Sequence, residues 1–221
     1  MNDGINSGYG SPVRRKERPD IKRSLVVVFL FCCLMRAALT ETLPAEETSY
    51  LTGQLLVAAP EMSDPRFVES VIYIIRHDET GALGLVINRP LAEGALADLL
   101  RGLRLEGRNA SGQIVLHYGG PVEPERAFIL HSVDYTSSNT RIVGQGVAVT
   151  ADVAIIRAIA EGKGPSRSLF CVGYAGWTRG QLEGEIKANG WFAVPADEKL
   201  IFEGDPETKW ERAMARRRVG I

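Results

Sequence analysis

The stretch Gly173-Tyr174-Ala175-Gly176-Trp177-Thr178-Arg179-Gly180-Gln181-Leu182-Glu183 (GYAGWTRGQLE) sets three glycines around two aromatics and leads into a mixed charged and apolar run. A glycine-rich loop ahead of a helix invites a phosphate-binding reading. The Lys-Ser/Thr ending of a P-loop is missing, however, and so is the glycine spacing of a dinucleotide fold. A strand-to-helix joint fits better. Thr178 and Gln181 stand at capping-box spacing, the hydroxyl reaching the amide three residues on and the Gln side chain reaching back. Trp177 and Leu182 flank the cap as a hydrophobic staple. Gly173 and Gly176 let an apolar strand turn sharply into the helix.

Working outward, Arg167 to Tyr174 (RSLFCVGY) is the strand that feeds this joint, and further strands are predicted at Gln54–Ala59, Val68–Arg76, Ala82–Asn88, Ile114–Tyr118, Ala127–His131, Arg141–Val149 and Lys199–Phe202. The turn residues His77-Asp78-Glu79-Thr80-Gly81 make a hairpin of the second and third. Leu96, Leu99, Leu100 and Leu103 recur at helical spacing. Asp152–Glu161 reads as a helix capped by Thr150 and stopped by Gly162, and a last helix is predicted to start at Pro206. Strands and helices do not alternate strictly and hairpins come early. The expectation is therefore a single α+β domain over residues 49–221 with a mixed, mainly antiparallel sheet flanked by helices.

Residues 1–48 stand apart. The apolar run Leu25–Met35 (LVVVFLFCCLM) follows Arg14, Arg15, Lys16, Lys22 and Arg23. It is too short to span a bilayer, which takes about 20 residues. It reads either as a signal-like segment or as sequence upstream of a translation start at Met35. The second reading places the protein in the cytoplasm; the first has it exported.

The 221-residue chain has a net charge of -1. Six basic and three acidic residues precede Met35, which leaves 20 basic and 24 acidic in the rest. An acidic body counts against direct DNA binding. Cys171 is the single cysteine beyond Cys33, so no disulfide forms within the body.

Several segments together carry a likeness: Gly53-Gln54-Leu55-Leu56 with Ala59-Pro60, Met62, Asp64-Pro65 with Phe67, Ser70-Val71, Gly81 through Pro90 (GALGLVINRP), Gly119-Gly120-Pro121-Val122, Leu130-His131-Ser132, Gly173 through Trp177, Gly180 through Glu183, Trp191 and Pro195-Ala196-Asp197. In this order they resemble the bacterial YqgE/AlgH family, from Tyr50 to the C-terminus. The resemblance implies a sheet partly closed into a barrel and a regulatory role in gene expression. It implies no catalytic residues.

The residues themselves point the same way. Ser132 follows His131, but neighbours on a strand face opposite sides and no nucleophile elbow is present. Cys171, between Phe170 and Val172, reads as a small buried hydrophobe. His77, His117 and His131 lack the spacing of a zinc site, and Asp78 and Glu79 are ordinary turn residues. Neither a catalytic residue, a metal nor a cofactor is assigned. Asn88 and Arg89, before Pro90, read as a strand terminator with a surface arginine; alternatively they face Gly119 and Gly120, whose amides would meet an anion. Arg216-Arg217-Arg218 read either as a contact for phosphate or an acidic partner or as the basic end of a helix. The expected function is that of a non-enzymatic regulatory or interaction protein working through a protein partner. The alternative is a protein that binds a small anionic, nucleotide-like ligand at Asn88, Arg89, Gly119 and Gly120, or an enzyme.

Overall fold

In the computed structural model, residues 50–106 and 110–217 are described. The Leu25–Met35 run and the Met35 start fall outside them. The strands are β1 (Gln54–Ala58), β2 (Val71–Asp78), β3 (Gly81–Val86), β4 (Pro90–Ala95), β5 (Gln113–Tyr118), β6 (Val122–Ser132), β7 (Thr140–Gly144), β8 (Val147–Thr150), β9 (Ser168–Thr178) and β10 (Trp191–Pro195). The helices are α1 (Leu96–Gly102), α2 (Val153–Ala160), α3 (Gln181–Lys187), α4 (Glu198–Phe202) and α5 (Lys209–Met214). All strands join one sheet, in the order β10-β1-β2-β3-β9-β6-β8-β7, with β4 and β5 branching from β9. The sheet is antiparallel except where β5 runs parallel to β9, and it curls into a half-barrel.

The run of apolar residues in β1 and β2 reflects burial on both faces. Leu55, Val57, Val71, Tyr73 and Ile75 pack into one core with α4 and α5. Their neighbours Leu56, Ala58, Ile72 and Ile74 pack on the opposite side beneath Trp177, Leu182 and Trp191. A half-exposed antiparallel strand would alternate apolar with polar; these need no polar face. A third cluster seats α1 and α2 on Ile129 and Phe170.

β9 organises the rest because it changes partners midway. Its first half lies between β6 and β5, and its second half pairs with β3. Gly173 sits at the change with φ +70°. A Cβ there would lie 2.3 Å from the Gly120 carbonyl oxygen, a contact no side chain could relieve.

Four predicted elements differ. Lys199–Phe202 is not a strand but part of α4, because Asp197 caps it by accepting the Leu200 amide at 2.8 Å. Arg141–Val149 is two strands, β7 and β8, folded at Gly146 with φ +78°. The cap of α2 is Asp152, not Thr150; the Thr150 hydroxyl instead lies 2.9 Å from His131 Nε2. The last helix begins at Lys209, after a turn at Pro206.

Candidate functional site

The opening joint is a strand-to-helix joint with a different cap. Thr178 is the last residue of β9, and Gly180, at φ +73°, is the N-cap of α3. Half of the predicted box is present. Gln181 Oε1 accepts the Thr178 amide at 3.1 Å, but the Thr178 hydroxyl donates to that same oxygen instead of reaching forward.

The Arg89 carbonyl accepts the Tyr118 amide at 2.9 Å, which sets the Asn88-Arg89 backbone beside the end of β5 that leads into Gly119 and Gly120. The Asn88 side chain accepts the Val71 amide at 2.8 Å and donates to the Glu69 carbonyl at 2.9 Å. Arg89 donates from Nη1 to the Arg66 carbonyl at 2.7 Å and from Nη2 to the Val68 carbonyl at 2.6 Å. These two side chains hold the loop that precedes β2. The Gly119 amide donates to the Val172 carbonyl at 2.8 Å, and added Cβ atoms at Gly119 and Gly120 would lie 2.3 and 2.1 Å from the β9 backbone. Both glycines are needed for strand approach.

The residues tested for catalysis are each engaged elsewhere. The Ser132 hydroxyl donates to Asp134 at 2.6 Å, while His131 donates from Nδ1 to the Ser132 carbonyl and accepts the Thr150 hydroxyl at Nε2. Burial pushes the Cys171 thiol up to about 12. His77 Nδ1 accepts the Leu51 amide at 3.0 Å, so Nε2 carries the hydrogen that faces Glu183 at 3.1 Å. Asp78 accepts the Thr80 amide at 2.9 Å, as a turn residue does. Burial holds His117 below the usual histidine value, and the Lys209 charge adds to this. Arg216 bonds the Asp197 carboxylate and Arg217 lies 3.9 Å over the Phe192 ring. Arg218 is outside the described residues.

What the sequence did not reveal is a cleft of about 330 Å³ against α3. The loop before β2 makes one wall with Met62 and Phe67; Pro121 and Val122 make the other; Trp177 and Trp191 close the floor. The indoles meet edge to face with centroids 6.0 Å apart, and Phe67 stands edge-on to Trp191 at 5.6 Å. Glu185 ties the floor together. Its Oε2 accepts both indole N–H groups, from Trp177 at 2.9 Å and from Trp191 at 2.8 Å, and its Oε1 accepts Gln181 Nε2 at 2.9 Å. A buried indole needs an acceptor, and one carboxylate supplies two. At the rim Asp64 and Arg66 pair at 2.6 Å, with the guanidinium 5.7 Å over Phe67.

Nine of the lining residues were met in the sequence as marks of one family, Met62, Asp64, Phe67, Gly176, Trp177 and Trp191 among them. Spread over some 130 positions, they converge on one concave surface. A model of the DUF179, AlgH-like family matches residues 55–221. The chain belongs to that family. A UPF0301 protein of Rhodospirillum rubrum is 45% identical over 175 residues, 79% of this chain and 91% of the relative. A UPF0301 protein of Methylobacterium nodulans is 44% identical over 190 residues, with 81% and 90% covered. The solution structure of AlgH from Pseudomonas aeruginosa superposes with a TM-score of 0.65 at 38% identity, covering 78% of this chain and 92% of that one. The crystal structure of DIP2367 from Corynebacterium diphtheriae shares the AlgH-like fold, with a TM-score of 0.61 at 23% identity over 76% of this chain and 88% of that one.

Proposed function

We propose that this AlgH-like protein is a non-enzymatic regulatory or interaction protein that meets a protein partner at the α3 cleft. That nine of the family marks, from distant parts of the chain, line this cleft carries the reading. A structural joint needs no open concavity, yet Met62, Phe67 and Val122 border one and leave apolar surface in reach of a partner. The acidic body and the internal pairing of Arg216 and Arg217 favour a protein partner over DNA. Among the described residues no helix is long and apolar enough to cross a membrane. We place the protein in the cytoplasm, which the intact mass of the native chain tests: a chain starting at Met35 agrees, and one cut near Ala38 or Ala45 does not.

Crosslinking pull-down from native lysate, with wild type beside a Phe67→Glu variant, tests the main reading. A stoichiometric partner captured by wild type and lost in the variant is expected; capture that is equal in both, or absent, overturns it. An anionic ligand at Asn88, Arg89, Gly119 and Gly120 would have to draw Arg89 off two carbonyls. A saturable thermal shift with a nucleotide, lost in Arg89→Ala, would establish that alternative.

A further inference from the structure

We infer that the α3 cleft receives a cationic side chain, a lysine or arginine of a partner peptide, with its charged head at Glu185 and its aliphatic stem along Phe67. The inference rests on the cleft being a partner surface and names the chemistry that fills it. A carboxylate offers about four acceptor sites. The two indoles occupy both sites of Oε2 and Gln181 takes one of Oε1, so one site remains. All three donors are neutral, so none of them cancels the charge of Glu185.

A carboxylate in an apolar concavity selects a cation with an apolar stem. Lysine and arginine match this, since their methylene chains lie along apolar surface while the head stays with its charge partner. The other charged groups lining the cleft, Asp64 and Arg66, already pair with each other at 2.6 Å. They leave Glu185 as the acid without a basic partner among the cleft-lining residues. Arg66 also illustrates the arrangement at the rim, its guanidinium between a carboxylate and the Phe67 face. At about 330 Å³ the cleft is at the small end of ligand pockets, room for one long side chain and not for a helix.

The full-length protein supplies its own reporters. It has three tryptophans; Trp177 and Trp191 donate to Glu185, whereas Trp210 donates to the Ala58 carbonyl at 2.9 Å and serves as a control. Capped hexapeptides of Gly and Ala, alike but for a central Lys, Arg, norleucine or Glu, are titrated against the 15N-labelled protein, with Nα-acetyl-lysinamide as a separate arm. Lys and Arg peptides are expected to move the Trp177 and Trp191 indole signals saturably, leave Trp210 in place, and bind at least about tenfold tighter than the norleucine peptide. Added salt should weaken them, and Glu185→Gln should reduce them to the norleucine level. The comparison of Lys with norleucine on the unaltered protein stands even if that variant misfolds. Norleucine binding as tightly as Lys overturns the charge inference and leaves the partner surface intact. Nα-acetyl-lysinamide binding as tightly as the Lys peptide overturns the peptide as the occupant. No movement of either indole signal with any peptide overturns this inference; the pull-down then decides the partner reading by itself.

Discussion

Lys209 is a residue whose position is costly. It is buried, donates to the Ile201 carbonyl at 2.6 Å, and is pushed down to about 8, by burial first and by Arg212 second. A lysine whose folded value falls below its unfolded 10.5 releases its proton earlier in the fold, so the unfolded chain binds more protons between those values and stability rises with pH there. Below about 8 the full cost is present, about 3 kcal/mol at 1.36 kcal/mol per pH unit. Lys209→Met should therefore raise urea-denaturation stability at pH 7 by about 1–3 kcal/mol, an advantage that shrinks towards pH 9. An advantage that does not change with pH would refute the assignment. Past pH 9 the difference between the two proteins, and not either curve alone, reads Lys209. In that range the Cys171 thiol, raised from 9.0 to about 12, works in the opposite direction, ionising in the unfolded chain first and drawing stability down. Gly173 is constrained by shape instead of charge: with φ +70° and a backbone oxygen 2.3 Å from the site of any Cβ, Gly173→Ala should destabilise the protein by more than about 2 kcal/mol. A melting temperature unchanged by that substitution would contradict the geometry of the strand junction.

At the scale of elements, α4 and α3 give contrasting predictions. Asp197 accepts the Leu200 amide at 2.8 Å, so Asp197→Ala should cost about 1 kcal/mol in thermal unfolding. Thr178→Ala should cost less than that, because the hydroxyl donates to a side chain and caps no helix amide; equal losses in the two variants would show that the caps have been misassigned. These two sites also explain what could be read in advance. The β2–β3 hairpin, α1 and the family-marked joint were legible because each has its own signal: a turn sequence, a leucine period, a glycine and aromatic cluster. Lys-Leu-Ile-Phe at 199–202 is too short to have a period of its own, and its Asp197 cap decides for a helix. β4, Pro-Leu-Ala-Glu-Gly-Ala, is mostly exposed and has no alternation to read, because its register comes from β5. The cleft was hidden for a similar reason. Glu185 meets Trp177 and Trp191 from eight and six positions away, contacts that exist only once β10 has paired with β1 and brought Trp191 opposite Ala58.

For the whole molecule, the sheet can be divided at a single strand. Without β9, three pieces remain: β10-β1-β2-β3, β6-β8-β7, and β4-β5. Amide exchange should reflect this, with the β9 amides that bond to β6 and β3 among the slowest and those of the edge strand β7 among the fastest. β9 amides exchanging as fast as those of β7 would rule out a common core built on that strand. The same division takes on another meaning during synthesis. Ribosomes deliver the chain from its N-terminus, and the strand that joins the pieces arrives only at residues 168–178. Until then the nascent polypeptide carries the apolar surfaces of three sheet pieces that no strand joins, so chains arrested before Ser168 should be cleaved by added protease while chains extended past Met214 resist it. The period in which a chaperone has most to protect is thus written into the position of one strand along the message.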